Sequence, residues 1–407
     1  MLRLNSSLCW CTWKTIVVGV LGVFTTFQLT FGAVEGKQSF GVIRWDCWNG
    51  LQKDVISETV ALTMRPEKFH WRLPWYVAVE KGSGNLAFNA NKQSIMDLEI
   101  KYAFHAGISF FAYDTYCVWP QDKDIDQCNG YWGKTKSGLG PSSRGYKAED
   151  PAYGLRLHMK SSLKNLVNIS MVLLGASPAL PIMRRRYLPI INDPSFHRVL
   201  VNGEWRPILF LFQAGEEEAK MNGGWAAWRE QWESFRKESI AQGSGNPYFV
   251  AMCVGVGNYQ QAIALKDHLG FDAISSYALP GGTIDGMPFS KQHAAALEFW
   301  NTAKKNQDIL VPNIPTGWDP RPRAEHPPIW VNESAQHYIE PKPEELTNLV
   351  ADASSFIRNN PSLVPTKTAI VYAWNENTEG GWLLPTKGEG KSRLDAFKRG
   401  VEKHSET

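Results

Sequence analysis

Two glutamates near the C-terminus, Glu376 and Glu379, have the residue type and spacing of a catalytic carboxyl pair. They lie in the segment AWNENTEGGWLLP (373–385), directly after Asn375 and the apolar run AIVYAW (369–374). If the chain turns in a helical sense there, the two side chains lie about 5–6 Å apart. Retaining glycosidases hold two carboxyl groups about 5–5.5 Å apart, whereas inverting enzymes need a wider gap for a water molecule. The spacing therefore predicts glycoside hydrolysis with retention; the alternative is a pair of solvated loop glutamates.

Aromatic and charged residues at the ends of other apolar runs are the predicted substrate contacts. In PTGWDPRPR (315–323), the Trp318 ring can stack on a sugar, and Asp319 and Arg321 can hold hydroxyls. The alternative for these two charges is an ion pair that caps a loop. Asp46 and Asp114 can equally be buried structural carboxylates. The complete set of predicted contacts is Asp46, Trp48, Asp114, Tyr116, Tyr277, Trp318, Asp319, Arg321, Trp374 and Asn375.

These side chains need a scaffold that brings the ends of strands together, and the pattern of apolar runs predicts one. Eight short runs alternate with amphipathic stretches, which indicates parallel strands that are buried on both faces. We therefore expect an α/β fold, a single (β/α)₈ TIM-type barrel with long βα loops, whose reactive groups lie at the C-terminal ends of the strands. A doubly wound open sheet is the alternative. The predicted strands are Gly41–Trp48, Gly107–Tyr116, Leu166–Leu174, Pro207–Ala214, Tyr248–Gly255, Phe271–Ala278, Asp308–Pro315 and Thr368–Asn375.

Helices are predicted between these strands, together with two long loops around the second strand. The loops are Lys81–Asn91 and Pro120–Asp150, and long loops of a barrel commonly shape a binding cleft. The helix after the third strand is weak and is placed at Pro194–Leu200. The other predicted helices are Ser94–Ala106, Tyr153–Leu163, Trp225–Gln242, Gln260–Leu269, Lys291–Lys305, Pro343–Asn359 and Arg393–Lys403.

The composition favours a folded protein that binds sugars over one that binds nucleic acid. The 407 residues include 43 Lys and Arg against 40 Asp and Glu, a net charge of +3, with no polybasic tail. Hydrophobic residues make up 43% of the chain, which is enough for a large core, and 17 residues are Trp. Because large rings are costly to leave on a surface, so many suggest a cleft lined with aromatic side chains. We expect an oligosaccharide or polysaccharide substrate, no nucleic acid partner and no cofactor.

Residues 1–34 have the pattern of an export signal, and the barrel is expected to occupy residues 37–407 as the catalytic domain. Arg3 and Lys14 precede an uncharged stretch, 16–34, that ends in small residues, which is the layout of a secretory signal peptide. A stretch of this length can barely span a bilayer, so an uncleaved signal anchor is the alternative. Either interpretation predicts a secreted or extracytoplasmic body whose membrane contact, if any, is made by this segment.

Export also bears on the cysteines. Cys117 and Cys128 lie eleven residues apart in a loop-like stretch, and in an oxidising compartment they are expected to form a disulfide. Two free buried thiols are the alternative. No CxxC, HExxH or close histidine pair is present in the sequence, so no metal site is predicted.

The order of these segments resembles the glycoside hydrolase family 99-like proteins, which include the endo-α-mannosidases and the WbsX-like proteins of polysaccharide loci. SIMDLEIKYAFHAGISFFAYDTY (94–116) resembles their helix and following strand, and DPSFHRVLVNGEWRPILFLF (193–212) resembles the stretch in which a short helix and an Asn-Gly hairpin lead into a strand. PTGWDPRPR resembles their Gly-Trp-Asp segment, and AWNENTEGGWLLP resembles their last-strand motif, Trp-Asn-Glu-x-x-Glu-Gly.

The resemblance implies a role for each glutamate. Glu376 would act as the base that helps the 2-hydroxyl of the substrate attack the anomeric carbon, and Glu379 as the acid that protonates the leaving oxygen. Asn377 and Thr378 stand where the mannosidases carry Trp-His, and Leu384 stands where the family usually has Glu before Pro. The double-glutamate chemistry survives these departures, but mannose specificity is not carried over.

Two other functions compete with that of an exported, metal-independent glycoside hydrolase. A WbsX-like role in polysaccharide biosynthesis fits poorly with an export signal and with the absence of a nucleotide-sugar phosphate loop. A non-catalytic carbohydrate-binding barrel would have kept the aromatic cleft and lost turnover. The presence of both Glu376 and Glu379 argues against it, because loss of either carboxylate would mark an inactive enzyme.

Overall fold

The computed structural model describes residues 37–50, 54–115, 153–174, 187–328 and 331–403, and in this part of the chain eight parallel strands form a barrel. Each strand is followed by a helix-bearing connection, as the alternating apolar pattern predicts. The strands are β1 (Ser39–Arg44), β2 (Phe110–Thr115), β3 (Asn168–Leu174), β4 (Glu204–Phe212), β5 (Tyr248–Cys253), β6 (Ala273–Ser276), β7 (Asn313–Pro315) and β8 (Thr368–Tyr372).

The strands follow one another around the barrel in sequence order, and the ring closes between the last strand and the first. β1 pairs in parallel with both β2 and β8. β6 is joined to the chain that leads into β7 by a bridge between Ile274 and Leu310, and β7 pairs with β8. This closure confirms the predicted (β/α)₈ TIM-type barrel. It excludes the doubly wound open sheet, in which β1 and β8 could not pair around a ring.

Seven of the eight predicted helices flank these strands, with bounds within three residues of the predicted ones. They are Gln93–His105, Tyr153–Lys160, Trp225–Ala241, Tyr259–Leu269, Phe289–Asn306, Pro343–Asn359 and Ser392–Glu402. Further helices that the pattern did not predict are Val55–Thr63, Glu216–Met221 and Arg321–Glu325, with short 3₁₀ segments at Glu67–Arg72 and Val256–Asn258.

The helix predicted at Pro194–Leu200 is wrong. Residues Arg198–Val201 form a strand that pairs antiparallel with the first residues of β4. Asn202 and Gly203 both have positive φ, +53° and +81°, which is the backbone of a two-residue hairpin turn. The side chains of this strand alternate between half-buried and buried, so the period is that of a strand and not of a helix.

Side chains of the strands alternate between the barrel interior and the layer under the helices. In β2, Phe110 and Ala112 belong to the interior cluster, whereas Phe111 and Tyr113 pack in the outer cluster with the helices. The same alternation turns Asp114 toward the interior at the C-terminal end of the strand. A polar group at that end faces the position where barrel enzymes bind substrate.

A long excursion separates β1 from β2. It carries the helix Val55–Thr63, the 3₁₀ segment Glu67–Arg72 and a small hairpin of Ala78–Val79 with Leu86–Ala87. The predicted loop Lys81–Asn91 lies in this excursion. The other predicted long loop, Pro120–Asp150, lies outside the described residues.

Candidate active site

The two glutamates lie on a hairpin that follows β8, and not on a helical turn. Asn375–Glu376 pairs antiparallel with Gly381–Trp382. The backbone amide of Glu379 donates a hydrogen bond to the carbonyl of Glu376 at 3.0 Å. An i+3 to i bond of this kind closes a β-turn, which brings its first and last residues together. The expected proximity of the pair therefore arises from a different local geometry.

Gly380 and Gly381 allow this hairpin to pack closely against its neighbours. Gly380 has a φ of +88°, and a Cβ there would lie 2.2 Å from the backbone nitrogen of Asp319. A Cβ on Gly381 would lie 2.5 Å from the ring of Tyr372. Because glycine has no side chain, the hairpin can lie directly against β8 and the segment after β7. That contact places Glu379 beside both.

A buried arginine, Arg323, joins the two glutamates. It belongs to the short helix Arg321–Glu325 after β7 and is 5% exposed. Its Nη1 donates to Oε1 of Glu379, and its Nη2 donates to Oε2 of Glu376 at 3.3 Å. Its Nε donates to the hydroxyl of Thr378 at 3.0 Å. One guanidinium thus holds both carboxyl groups and the turn between them.

Two buried tyrosines make the remaining contacts of the pair. The hydroxyl of Tyr372 donates to Oε2 of Glu379. The hydroxyl of Tyr277 donates to Oδ2 of Asp114 at 2.7 Å and lies 3.5 Å from Oε1 of Glu376. Groups that follow or end β2, β6, β7 and β8 therefore meet at the C-terminal end of the barrel, where the sequence predicts the reactive groups.

Burial changes the proton affinity of two of these carboxyl groups. Desolvation raises the pKa of Glu376 from its ordinary value of 4.5 to about 7, although Arg323 and Tyr277 oppose the shift. Desolvation and the nearby Glu376 also raise the pKa of Asp114 well above its usual range. Oδ1 of Asp114 has no hydrogen-bond partner among the described residues. The site therefore holds two carboxyl groups of raised pKa, and with a pKa of about 7 Glu376 can keep a proton close to neutral pH, as a general acid must.

We predict that Glu376→Gln flattens the dependence of stability on pH. Because the folded chain binds this proton more tightly than the unfolded chain, the ionised carboxyl costs stability as the pH rises from about 4.5 to about 7. Relative to the variant, the wild type should lose up to about 3 kcal/mol over this range, since each pKa unit is worth about 1.4 kcal/mol. The measurement is urea unfolding of both proteins at several pH values.

The exposed Glu204→Gln is the control for that measurement. Its unfolding curve should follow that of the wild type at every pH. Buried groups that do not interact with Glu376, Asp46 among them, titrate in all three proteins and cancel in the difference, whereas removing the charge of Glu376 also lowers the pKa of Asp114. Parallel curves for the wild type and Glu376→Gln would contradict the assignment of a raised pKa to this carboxyl.

Trp318 is the predicted aromatic contact that stays partly exposed beside the pair. Its ring centroid lies 6.0 Å from that of Tyr372, whose hydroxyl contacts Glu379. Its backbone carbonyl accepts a hydrogen bond from the amide of Tyr338 at 2.9 Å, which fixes the segment after β7. The Trp318 ring is thus available for stacking on a sugar next to the two carboxyl groups.

The carboxylate of Asp46 has its hydrogen bonds within the fold. One oxygen accepts from Arg44, and the other accepts from the amides of Gly154 at 2.8 Å and Leu155 at 3.3 Å. These amides belong to the first turn of the helix Tyr153–Lys160, whose free N–H groups need acceptors. The geometry of Asp46 is therefore that of the structural alternative, a carboxylate that caps a helix.

Trp48, Trp374 and Asn375 are fully buried, and their hydrogen bonds hold the backbone next to Glu376. The indole N–H of Trp374 donates to Glu99 at 3.0 Å, and that of Trp48 reaches the carbonyl of Asn375 at 3.4 Å. The side chain of Asn375 accepts from the amide of Trp45 at 3.0 Å and donates to its carbonyl at 2.6 Å. These three residues fix the backbone on which Glu376 is carried, and none offers a free face to substrate.

Asp319 and Arg321 form an ion pair with each other, which was the alternative to their predicted role as substrate contacts. Both oxygens of Asp319 accept from Arg321, at 2.8 and 2.6 Å, and Oδ2 also accepts from the buried Arg72. The amide of Asp319 donates to the carbonyl of Glu379 at 2.6 Å. The Arg321 side chain remains 41% exposed. Asp319 thus anchors the hairpin, while Arg321 can still reach solvent.

Three residues of the site were not predicted from the sequence, namely Arg323, Tyr372 and Thr378. Arg323 closes the segment PTGWDPRPR, and a buried arginine facing two carboxylates could have been sought there. The hydroxyl of Thr378 holds the guanidinium, and the side-chain amide of Asn377 donates to the carbonyl of Arg72 at 2.9 Å. The two departures from the mannosidase motif that lie between the glutamates therefore support the hairpin instead of facing a sugar.

Some predicted residues lie outside the part of the chain that the structure describes. These are Tyr116 and the predicted disulfide partners Cys117 and Cys128, as well as the predicted leader 1–34. Within the described ranges, Cys47 and Cys253 are free buried thiols. No helix in these ranges is both long and apolar enough to cross a bilayer, and no cluster of His, Cys, Asp and Glu in them has the arrangement of a metal site.

Comparison with solved structures identifies proteins of similar fold. The chain is similar to the GH99 endo-α-mannosidase from Bacteroides thetaiotaomicron, with a TM-score of 0.51 and 12% sequence identity. The match covers 89% of this chain and 96% of that one. The structure of the same enzyme in complex with bis-tris-propane matches with the same score and identity and 95% coverage of its chain. No protein-family model and no curated protein matches the sequence. At this identity the likeness is one of fold.

Proposed function

We propose that this protein is a glycoside hydrolase that uses Glu376 and Glu379 as its catalytic carboxyl pair and retains the anomeric configuration. The observation that carries the proposal is the shared contact of both carboxyl groups with Arg323, at the end of the barrel where such enzymes act. The β-turn between the two residues favours the short separation that retention needs. Asp114, Tyr277 and Trp318 are the proposed substrate contacts.

The fold comparison supports the same class of reaction. Two structures of similar fold are those of an endo-α-mannosidase, and the last-strand motif of this chain carries both glutamates of the motif that it resembles. We propose a glycan as substrate and leave its sugar open, because Asn377 and Thr378 make structural contacts where the mannosidase motif has Trp-His. We further propose that residues 1–34 export the protein, and that Cys117 and Cys128 are linked in the exported form.

To test the proposal, purified protein comprising residues 37–407 is incubated with a panel of α- and β-linked glycans. We expect hydrolysis of at least one of them. Proton NMR during the first turnover should show a product with the anomeric configuration of the substrate. An inverted product would instead indicate a more distant partner such as Asp114, and the absence of turnover across the panel would refute the hydrolase.

One observation favours a non-catalytic carbohydrate-binding barrel as the second candidate. Both oxygens of Glu379 accept hydrogen bonds from buried side chains, Arg323 and Tyr372, as in a structural carboxylate. A binding barrel would take up glycans from the same panel without cleaving them. Calorimetric binding with no product therefore separates this candidate from the hydrolase.

A further inference from the structure

A further carboxylate, Glu333, lies beside the two glutamates on the segment that follows the helix Arg321–Glu325. Its Oε1 is 3.9 Å from Nη1 of Arg323, the same nitrogen that donates to Glu379. A separation of 3.9 Å allows charge attraction but is too long for a hydrogen bond. This ion pair is the polar contact that the described residues give the Glu333 side chain, which accepts no hydrogen bond from them.

The side chain of Glu333 turns toward the pair and away from bulk solvent. Exposure alternates along the segment, since Val331 and Glu333 are half-buried whereas Asn332 and Ser334 are exposed. The Glu333 side chain keeps 17% of its surface exposed. Burial is the largest cause of the raised pKa of Glu376, and the charge of Glu333 raises that pKa further. Glu333 is therefore within electrostatic reach of the proposed catalytic pair.

The hydrogen bonds of the other carboxyl groups distinguish them from Glu333. Asp114, Glu376 and Glu379 each accept at least one hydrogen bond from a buried tyrosine or arginine. Both oxygens of Glu333 keep their acceptor capacity, and an ionised carboxylate offers about four lone-pair sites. A carboxylate that gives up most of its water without a hydrogen bond in return loses free energy. Hydroxyl groups of a bound ligand would supply the missing donors.

The balance of charge at the site bears on which ligands can bind. Glu333, Glu376 and Glu379 all approach Arg323, the cation that the described residues bring to them. Even when Glu376 holds a proton, the carboxylates of Glu333 and Glu379 leave one negative charge in excess. Like charges repel, and an uncompensated like charge is a common means of rejecting a wrong ligand. A sugar with a carboxylate or sulfate group is therefore disfavoured, whereas uncharged hydroxyl groups are not.

We propose that Glu333 selects the substrate: its carboxylate accepts hydrogen bonds from hydroxyl groups of an uncharged sugar held at the pair, and it repels acidic sugars. This inference rests on the proposed function and names the class of glycan that the hydrolase takes. Glu333 is a substrate-binding residue in this scheme and neither gives nor takes a proton. It lies outside both PTGWDPRPR and AWNENTEGGWLLP, so the sequence motifs did not point to it.

Calorimetry with one glycan in two forms tests this selection. The first form is the uncharged panel glycan of highest affinity, and the second is the same glycan after oxidation of its primary hydroxyls to carboxylates. Affinities are measured in the Glu376→Gln background, the reference protein, because turnover would add heat and glutamine imitates the protonated carboxyl. We expect the reference protein to bind the uncharged form at least about 10-fold more tightly, since repulsion by one nearby charge reaches this factor.

Two substitutions of Glu333 in the reference protein separate its charge from its hydrogen bonds. Glu333→Gln keeps the length of the side chain and removes the charge, so affinity for the uncharged form should fall about 10-fold and the preference over the oxidised form should disappear. Glu333→Asp keeps the charge and shortens the reach, so it should lose affinity for the uncharged form and still reject the oxidised one. The control, Glu204→Gln, lies at the start of β4, at the opposite end of the barrel, and should match the reference protein for both forms.

Neither substitution removes a hydrogen bond of the fold, so urea unfolding of both variants should follow that of the reference protein. Unchanged affinity of Glu333→Gln for the uncharged form, or a preference that survives in this variant, would overturn the inference. Either result would leave the hydrolase standing if the chain with its native glutamates cleaves the glycan. Glu333-dependent binding of the uncharged form, with no product from that chain, would instead refute the hydrolase and leave the selection by Glu333 intact.

Discussion

Replacing either glutamate of the pair with glutamine should lower kcat by about 10²- to 10⁴-fold, the range that general acid–base assistance contributes. Glutamine keeps the size of each side chain and part of its hydrogen bonding but cannot give or take the proton. Glycan binding should survive, because Trp318 and the other proposed contacts remain. The measurements are steady-state kinetics on the hydrolysed glycan, together with calorimetric affinities of both variants.

The matched control is Glu325→Gln. This glutamate lies on the same short helix as Arg323, but its side chain is 39% exposed and pairs with the surface residue Lys68. Its replacement should leave kcat within about twofold, since exposed pairs contribute little. Near-normal turnover in both Glu376→Gln and Glu379→Gln would show that neither glutamate is catalytic.

The fold could be predicted from sequence because it depends on composition along short windows. Eight runs of buried residues separated by amphipathic stretches leave few architectures other than a barrel or an open sheet. The predicted helix at Pro194–Leu200 failed where two signals competed, since a single turn of helix pattern overlaps the Asn202-Gly203 hairpin. The turn chemistry, which requires positive φ at both residues, is the more specific of the two signals.

The candidate site was predicted only in part, because residue type does not give side-chain direction. Along β8, Ile370 and Tyr372 lie in the interior cluster, and strict alternation would bring Trp374 there too. Tyr372 and Ala373 are instead both interior, and Trp374 packs in the outer cluster. Because the alternation shifts by one position at Ala373, Trp374, which the sequence predicted as a sugar contact, is a core residue. No window of the sequence reports such a change.

Long-range ion pairs were the other feature that the sequence could not supply. Arg323 is separated from Glu376 by 53 positions, and Arg72 from Asp319 by 247. Pattern arguments find partners three or four residues apart, so neither of these contacts could be assigned from the sequence. The closed barrel brings Arg72 to Asp319 from a distant segment, whereas Asp46 and Asp319 also pair with arginines two positions away, Arg44 and Arg321. Buried ionic contacts of this kind position the hairpin that carries Glu376 and Glu379.

Another fully buried ionic cluster centres on Arg44, and we expect Arg44→Met to cost about 3–5 kcal/mol of unfolding free energy. The Arg44 guanidinium contacts Asp46 and, at 2.9 Å, Glu99. All three side chains are at most 2% exposed, so removing the cation leaves two buried carboxyl groups without their counter-charge. Burial already raises the pKa of Asp46 to about 6 with Arg44 in place.

The consequence of Arg44→Met should extend to the hairpin that carries Glu376 and Glu379. Glu99 accepts the indole N–H of Trp374 at 3.0 Å, and Trp374 directly precedes Asn375 and Glu376. A variant that still folds should therefore lose turnover as well as stability. Urea unfolding and kcat measure the two effects. Lys68→Met, which breaks an ion pair whose side chains are 60% and 39% exposed, should change stability by less than about 1 kcal/mol.

The triple variant Arg44→Met, Asp46→Asn, Glu99→Gln separates lost charge balance from lost packing. It removes the two carboxylates that Arg44 neutralises, so it should recover part of the stability lost in the single variant. The guanidinium carbon of Arg44 also lies 5.4 and 5.6 Å from the ring centroids of Tyr113 and Tyr153, a packing contact that the triple variant does not restore. A single variant no less stable than Lys68→Met would show that the buried network does not hold the hairpin.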